Sequence, residues 1–174
     1  QMTVGALAGY VVAILGTSGV PHISLGWPWW LHIPLAILIA TLFGTLVGAL
    51  AVRTEGIYTI MITLAIAAAF FYFTRQNYTI FNGYTGFNNV IPPPLFGVDW
   101  RQAVPFYYLT LGCATLSYLA VVWMARTPFG LALQGVRDNA RRMSALGFSP
   151  VAHRVAAYAV AGLIASIGGV LLVW

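Results

Sequence analysis

Lysine is absent from the 174 residues, and charge of either sign is scarce: eight arginines and three acids make up 6% of the chain. Soluble domains are about 25% charged. So few charges cannot cover a water-facing surface, which excludes a soluble enzyme and a nucleic-acid binder. The formal balance of +5 does not alter this, because the arginines sit between long apolar runs. One cysteine, Cys113, excludes an internal disulfide framework and a Cys-rich metal site. No basic stretch precedes the first apolar run, as a signal peptide would require. No Gly-x-Ser-x-Gly, His-Glu-x-x-His or paired-carboxylate pattern is present, so no catalytic residue is assigned.

What is present is apolar length. The chain is 60% hydrophobic, and a helix needs about 20 apolar residues to cross the hydrocarbon core. Uncharged runs at 33–52, 57–74, 104–125 and 155–174 meet or nearly meet that length, and a shorter one covers 2–16. Backbone groups in lipid must be paired within the segment, so these runs predict helices. The expected fold class is all-α: a polytopic transmembrane helix bundle. The chain begins at Gln1 and stops at Trp174 inside an apolar run, as expected of one membrane domain, 1–174, truncated at both ends from the middle of a longer protein.

Orientation follows from the arginines. Arg126, Arg137, Arg141, Arg142 and Arg154 face one acid, Asp138, in the stretch 126–154, which the positive-inside rule makes cytoplasmic. Counting back through alternating spans places Arg53 inside, and Arg75 and Arg101 outside with the loop 76–103. Trp27, Trp29, Trp30, Trp100, Tyr107 and Tyr108 then form an outer aromatic belt. Small residues four apart, Gly5 with Gly9, Gly44 with Gly48 and Gly162 with Ser166, are those that let helices approach closely in lipid.

His22 and His32 near the outer interface and His153 at the inner end of the last span show no metal-ligand spacing. Thr54 is expected to cap the helix that starts near Ile57, with Glu55 in its first turn; a proton relay through Glu55 is the rival reading. In the inner loop, Asp138 reads as the N-cap and Gly147 as the stop of a helix of about two turns. Val136, Ala140, Met143 and Leu146 then share one face, and Arg137, Arg141 and Ser144 another. Such a helix can lie on anionic lipid or dock a soluble partner. In the outer loop, Thr85, Asn88 and Asn89, with Asn77, Asn82 and Pro92 to Pro94, suit either a solvated turn or a gate.

Phe129-Gly130, Arg137-Asp138-Asn139 and Ala145-Leu146-Gly147 resemble the inner loop of LivM-type permeases of branched-chain amino acid ABC transporters. Arg53-Thr54-Glu55-Gly56-Ile57-Tyr58 with Thr63-Leu64-Ala65 is similar to the family's entry to its next helix, and Thr85-Gly86-Phe87-Asn88-Asn89 falls at its outer threonine–glycine loop. The resemblance implies a bacterial inner-membrane permease paired with a second permease subunit, two cytoplasmic ATPase subunits and a periplasmic solute-binding protein. No cofactor belongs to this chain; ATP and Mg belong to the partner ATPase. It further implies that Arg137, Asp138, Asn139, Met143, Leu146 and Gly147 form the ATPase-coupling element. Thr63, Thr85, Asn88 and Asn89 are the expected substrate path. Ala140, Arg141 and Arg142 replace a glutamate and small residues usual in the family, which reverses the charge of the docking surface. A permease for urea or short amides, and a non-transport membrane scaffold with a lipid-binding basic loop, are the alternative readings.

Overall fold

The computed structural model describes residues 1–16, 28–54, 56–81, 87, 90, 100 and 102–174, with only the backbone for Trp29 and Thr79. The described residues form helices and no strand: α1 (Met2–Gly16), α2 (Trp29–Ala51), α3 (Ile57–Gln76), α4 (Tyr78–Phe81), α5 (Ala103–Arg126), α6 (Pro128–Asp138), α7 (Ala140–Ala145) and α8 (Pro150–Val173). Four of them, α2, α3, α5 and α8, are long and apolar enough to cross a membrane, and α1 is a shorter apolar helix. The all-α bundle expected from composition is the fold observed.

Helices α1, α2 and α8 form the packed centre. Gly5 of α1 lies against the Ala165 carbonyl and Gly169 of α8, and Gly9 lies against Val173, so α1 and α8 run in the same direction. Gly44 of α2 meets Gly162 of α8, and Gly48 meets Tyr158, so α2 runs the opposite way. Ala8, Val12, Ala36, Ala40 and Ser166 fill the seam and are fully buried. Lipid is as apolar as leucine, so helices gain little from hydrophobic burial there and associate by close contact. All three small-residue pairs are at these contacts, and Gly169, four residues after Ala165, is a further contact residue.

Several hydroxyl groups within the spans pair with carbonyls of their own helices. Thr41 and Thr45 of α2 each donate to the carbonyl one turn back, at 2.7 Å, and Ser166 donates to the Leu163 carbonyl at 2.7 Å. Helix α3 packs on α2 through Phe43 and Phe70, whose rings are 5.7 Å apart, and Tyr10 of α1 meets Phe81 of α4 edge-on at 5.2 Å. His32 is buried at the end of α1, where its ring packs on Gly16. Helix α5 buries no residue and joins the rest through α6.

Two helix starts differ from expectation. Thr54 does not cap α3: its Oγ1 donates back to the Ala51 carbonyl at 2.9 Å, and Thr59 Oγ1 donates to the Thr54 carbonyl at 2.7 Å. Gly56 precedes α3 with φ +65°, a backbone that glycine adopts without strain. The chain therefore turns on the glycine, and Thr54 closes α2 instead; Glu55 lies outside the described residues. Helix α8 begins at Pro150, more than a turn before the uncharged run starts at Val155. Proline at the first helical position suits a helix start, so Arg154, which the stretch 126–154 includes, is helical together with His153.

A Cβ on Gly169 would run into the Gly5 carbonyl group, which no side-chain motion relieves. Gly169→Ala should therefore lower stability by about 1–3 kcal/mol, read as a lower thermal midpoint in detergent. Gly112→Ala on α5, where an added Cβ meets nothing within 4 Å, should leave stability unchanged or raise it by up to about 1 kcal/mol, with the midpoint unchanged or higher. Equal losses at the two sites would mean that the α1–α8 backbone contact does not hold the bundle.

Candidate functional site

The inner loop is a folded unit of two helices. Helix α5 ends where Thr127 donates its hydroxyl to the Met124 carbonyl at 2.6 Å, and Pro128 occupies the start of α6. Gly130 is packed on the carbonyls of Met124 and Ala125, leaving no room for a Cβ. That glycine lets α6 fold back tightly against the end of α5. Phe129 beside it stacks on His153 of α8, with centroids 5.7 Å apart and planes 14° from parallel. Phe148 meets the same imidazole edge-on at 5.8 Å, and His153 Nδ1 lies 2.9 Å from the Ser149 carbonyl. The Phe129-Gly130 pair thus has a local physical role: it ties α5, α6 and α8 together.

Helix α6 is amphipathic, with Gly130, Ala132 and Val136 buried and Leu131, Arg137 and Asp138 exposed. It ends at Asn139, whose backbone is extended (φ −155°, ψ 95°) and whose Oδ1 accepts from the Arg142 amide at 3.1 Å. Asn139, and not Asp138, is therefore the N-cap of α7, since Asp138 is still inside α6. Asp138 pairs instead with Arg137, Nε to Oδ1, at 3.5 Å, with both side chains largely exposed. Such a pair contributes about 0–1 kcal/mol.

Helix α7 also has a defined end. Gly147 has φ +87°, the Phe148 amide donates to the Met143 carbonyl and the Gly147 amide to the Ser144 carbonyl, both at 3.1 Å. These are the two crossed hydrogen bonds of a Schellman stop. Met143 packs over Gly135 of α6, a contact a Cβ at Gly135 would obstruct. The face expected from spacing is split by the break at Asn139. Val136 is buried on α6, Met143 is half-buried against it, and Leu146 is 72% exposed. Arg141, Arg142 and Ser144 are exposed beside Leu146. The loop presents a rigid knob, basic with an apolar tip.

The second group of expected residues lies among the spans. A cavity of about 270 Å³ forms where α1, α2, α3 and α8 meet, with Thr63, Gly44, Thr3 and Tyr158 on its wall. Thr63 Oγ1 donates to the carbonyls of Thr59 and Ile60 at 3.0 and 2.9 Å, which leaves its oxygen able to accept. A cleft of about 500 Å³ is bounded by Thr54, Thr59, Arg154 and Tyr158, and another of about 300 Å³ by Leu133, Arg154, Tyr158 and Ala161. Tyr158 is common to all three. Its place in the apolar run gives no sign of this in the sequence, and Arg154 is marked there only as a topology-setting charge. Thr85, Asn88 and Asn89 lie outside the described residues. Among the described residues no group of three or more His, Cys, Asp or Glu side chains is placed to hold a metal.

Asn139→Ala should speed exchange of the α7 amides about fivefold, because losing an N-cap costs about 1 kcal/mol. Asn139→Asp should preserve protection, and Asp138→Ala should leave it unchanged. Hydrogen–deuterium exchange of the protein in nanodiscs reads all three, and faster exchange in Asp138→Ala alone would move the cap back to Asp138.

Comparisons with known proteins bear on the family. The family model described as branched-chain amino acid transport system / permease component matches residues 1–174. The high-affinity branched-chain amino acid transport system permease protein LivM of Salmonella typhimurium is 25% identical over 95% of this chain, and the protein of that name from Escherichia coli gives the same identity and coverage. The chain spans 43% of the length of each of these relatives. No solved structure matches. With the match running across every helix described above, the chain belongs to the branched-chain amino acid transport system permease family.

Proposed function

We propose that this chain is the membrane-spanning part of a permease in an ATP-driven bacterial importer for branched-chain or similar small amino acids. It would sit in the inner membrane, with 126–154 cytoplasmic and 76–103 periplasmic, in line with six arginines on one side and two on the other. A second permease subunit, two cytoplasmic ATPases using ATP and Mg, and a periplasmic binding protein complete the machine. The permease performs no chemistry. Its work is a rigid-body change between two states, driven through the inner loop.

The observation that carries this reading is the construction of α7. Six residues do not hold a helix alone in water, yet Asn139 caps one end, a Schellman stop closes the other, and Met143 anchors it to α6. The stabilised element then turns Leu146, a large apolar side chain, outward. That is the form of a docking helix, which must transmit force without melting. Of the residues expected in this element, Asn139 and Gly147 set its ends, Met143 is its inward anchor, and Leu146 is its contact. Arg137 and Asp138 flank it. Thr63 lies on the cavity wall, the place for a residue of the solute path; Thr85, Asn88 and Asn89 are proposed for the outer part of that path.

Detergent pull-down of the full-length protein from its own host should recover two ATPases and a second permease. A membrane scaffold would recover no ATPase. Leu146→Asp should reduce ATPase recovery at least about tenfold, the scale of losing one apolar anchor at an interface, while insertion in the membrane is unchanged. Copurification of the Leu146→Asp protein at wild-type stoichiometry would show that α7 is not the docking element.

A further inference from the structure

Tyr158 lies on the wall of three cavities. One, of about 270 Å³, is among α1, α2, α3 and α8. The others, of about 300 and 500 Å³, are where α8 meets α6 and where α2 passes into α3. A side chain that borders all three stands between them. Its root is fixed: Cβ and Cγ pack on Gly48 of α2, in the space that a methyl group there would need. Its ring is held less firmly. In a packed interior a buried ring touches side chains on every side. Tyr158 is half-buried and faces cavities toward Thr63, toward Thr59, and toward Ala157 and Ala161. The ring has room to pass from one staggered χ1 rotamer to another.

The opposite end of the 270 Å³ cavity is closed in another way. Phe43 and Ile66 line both that cavity and an apolar cleft beyond it. Past them Phe81 is buried among the rings of Tyr10, Phe73 and Phe70, at 5.2, 5.8 and 6.5 Å. Opening that end requires several rings to part, whereas opening at Tyr158 requires one to turn. We propose that the Tyr158 ring is the gate at the α6 end of the solute path. With the ring across the passage, the cavity is shut off from the two clefts; with the ring turned aside, the three volumes join. The inference rests on the importer reading above for what passes the gate. The block is the volume of the ring, so the phenol hydroxyl is not needed for closure. Glycine at 48 is what allows an aromatic residue at this crossing, because any Cβ there would collide with the root of the ring.

The test is thiol accessibility in the full-length permease with its partner subunits, in nanodiscs that expose both faces. Cys113 is replaced by serine, and one cysteine at a time is introduced on either side of the ring. Ala67→Cys lies on the wall of the 270 Å³ cavity and Ala157→Cys on the wall of a cleft, while Ser166→Cys is fully buried in the seam. The reagent is a membrane-impermeant methanethiosulfonate cation. Ala67→Cys should react at least about tenfold more slowly than Ala157→Cys, since the minor state of a two-state element is about 0.1–10% populated. Tyr158→Ala should raise the Ala67→Cys rate at least about tenfold, by removing that limit. Tyr158→Phe should leave it slow, and Ser166→Cys should stay unreactive throughout. Equal Ala67→Cys rates with tyrosine and alanine at 158 overturn the proposal. Fast labelling in Tyr158→Phe also overturns it, by assigning closure to the hydroxyl. So does a parallel rise at Ser166→Cys, which would mean that the bundle has loosened. The importer reading fails separately, in the unmodified complex: ATP hydrolysis without uptake of radiolabelled L-leucine removes the solute, while labelling still decides the gate.

Discussion

Backbone meets backbone where α1 and α8 cross, at Gly5 and Gly169, and again where α2 and α8 cross, at Gly44 and Gly162. Everything else in the molecule depends on that approach. In hydrocarbon the hydrophobic effect does not drive one apolar helix onto another, so cohesion comes from dispersion and carbonyl contacts that fall off steeply with distance. A layer of Ala, Gly, Ser and Val gives that proximity, and it also fixes register, since a glycine sits opposite one partner and no other. Larger side chains are left for the outside. Leu38, Leu42, Leu46 and Leu50 form an exposed stripe on α2, and α5 has no buried residue. In an isolated soluble chain such faces would be a liability; in a membrane they are the solvent-facing surface.

The same device reappears in the inner loop, where glycine sets helix–helix distance at a joint. Gly130 lets α6 turn back on the last carbonyls of α5, and Gly135 admits Met143 from α7. Gly147 does something different, supplying a left-handed backbone that closes α7. Three glycines in one short stretch thereby give two joints and a stop. The loop acquires the stiffness of folded structure, although α7 is too short to be stable by itself.

Much of this architecture is legible in the amino-acid sequence, for a physical reason. The spans are written in runs of apolar residues whose length is set by the bilayer, and the small-residue pairs at Gly5, Gly44 and Gly162 are written in a spacing set by the helix. The places where two patterns compete are not legible in the same way. Asp138 and Asn139 are both good caps, and α6, with Gly130 and Val136 on its buried face, runs on through Asp138. Thr54 and Gly56 both suit the start of α3, and the hydroxyl of Thr54 bonds to a carbonyl behind it and not to an amide ahead of it. Arg154 ends the apolar run in sequence, yet Pro150 has already started the helix. Tyr158 is hidden for a simpler reason: an aromatic residue in an apolar run is ordinary, and only the meeting of three cavities distinguishes it.

His153 and Arg154 are adjacent on α8 and serve different neighbours. The imidazole lies between Phe129, at the start of α6, and Phe148, just past the stop of α7. The guanidinium lies on cavities between α8 and the spans. In the proposed importer, a displacement of α7 by a docked partner would reach the first turn of α8 through these aromatic contacts. The first turn of α8 is continuous with the rest of its helix, and Tyr158 on the next turn packs on Gly48 of α2. In the proposed importer, force applied at Leu146 would act on α8 as a body, whose register against α2 is held at the Gly44–Gly162 and Gly48–Tyr158 contacts. The close packing that holds the bundle together is thus also what would let α8 answer such a force as one piece.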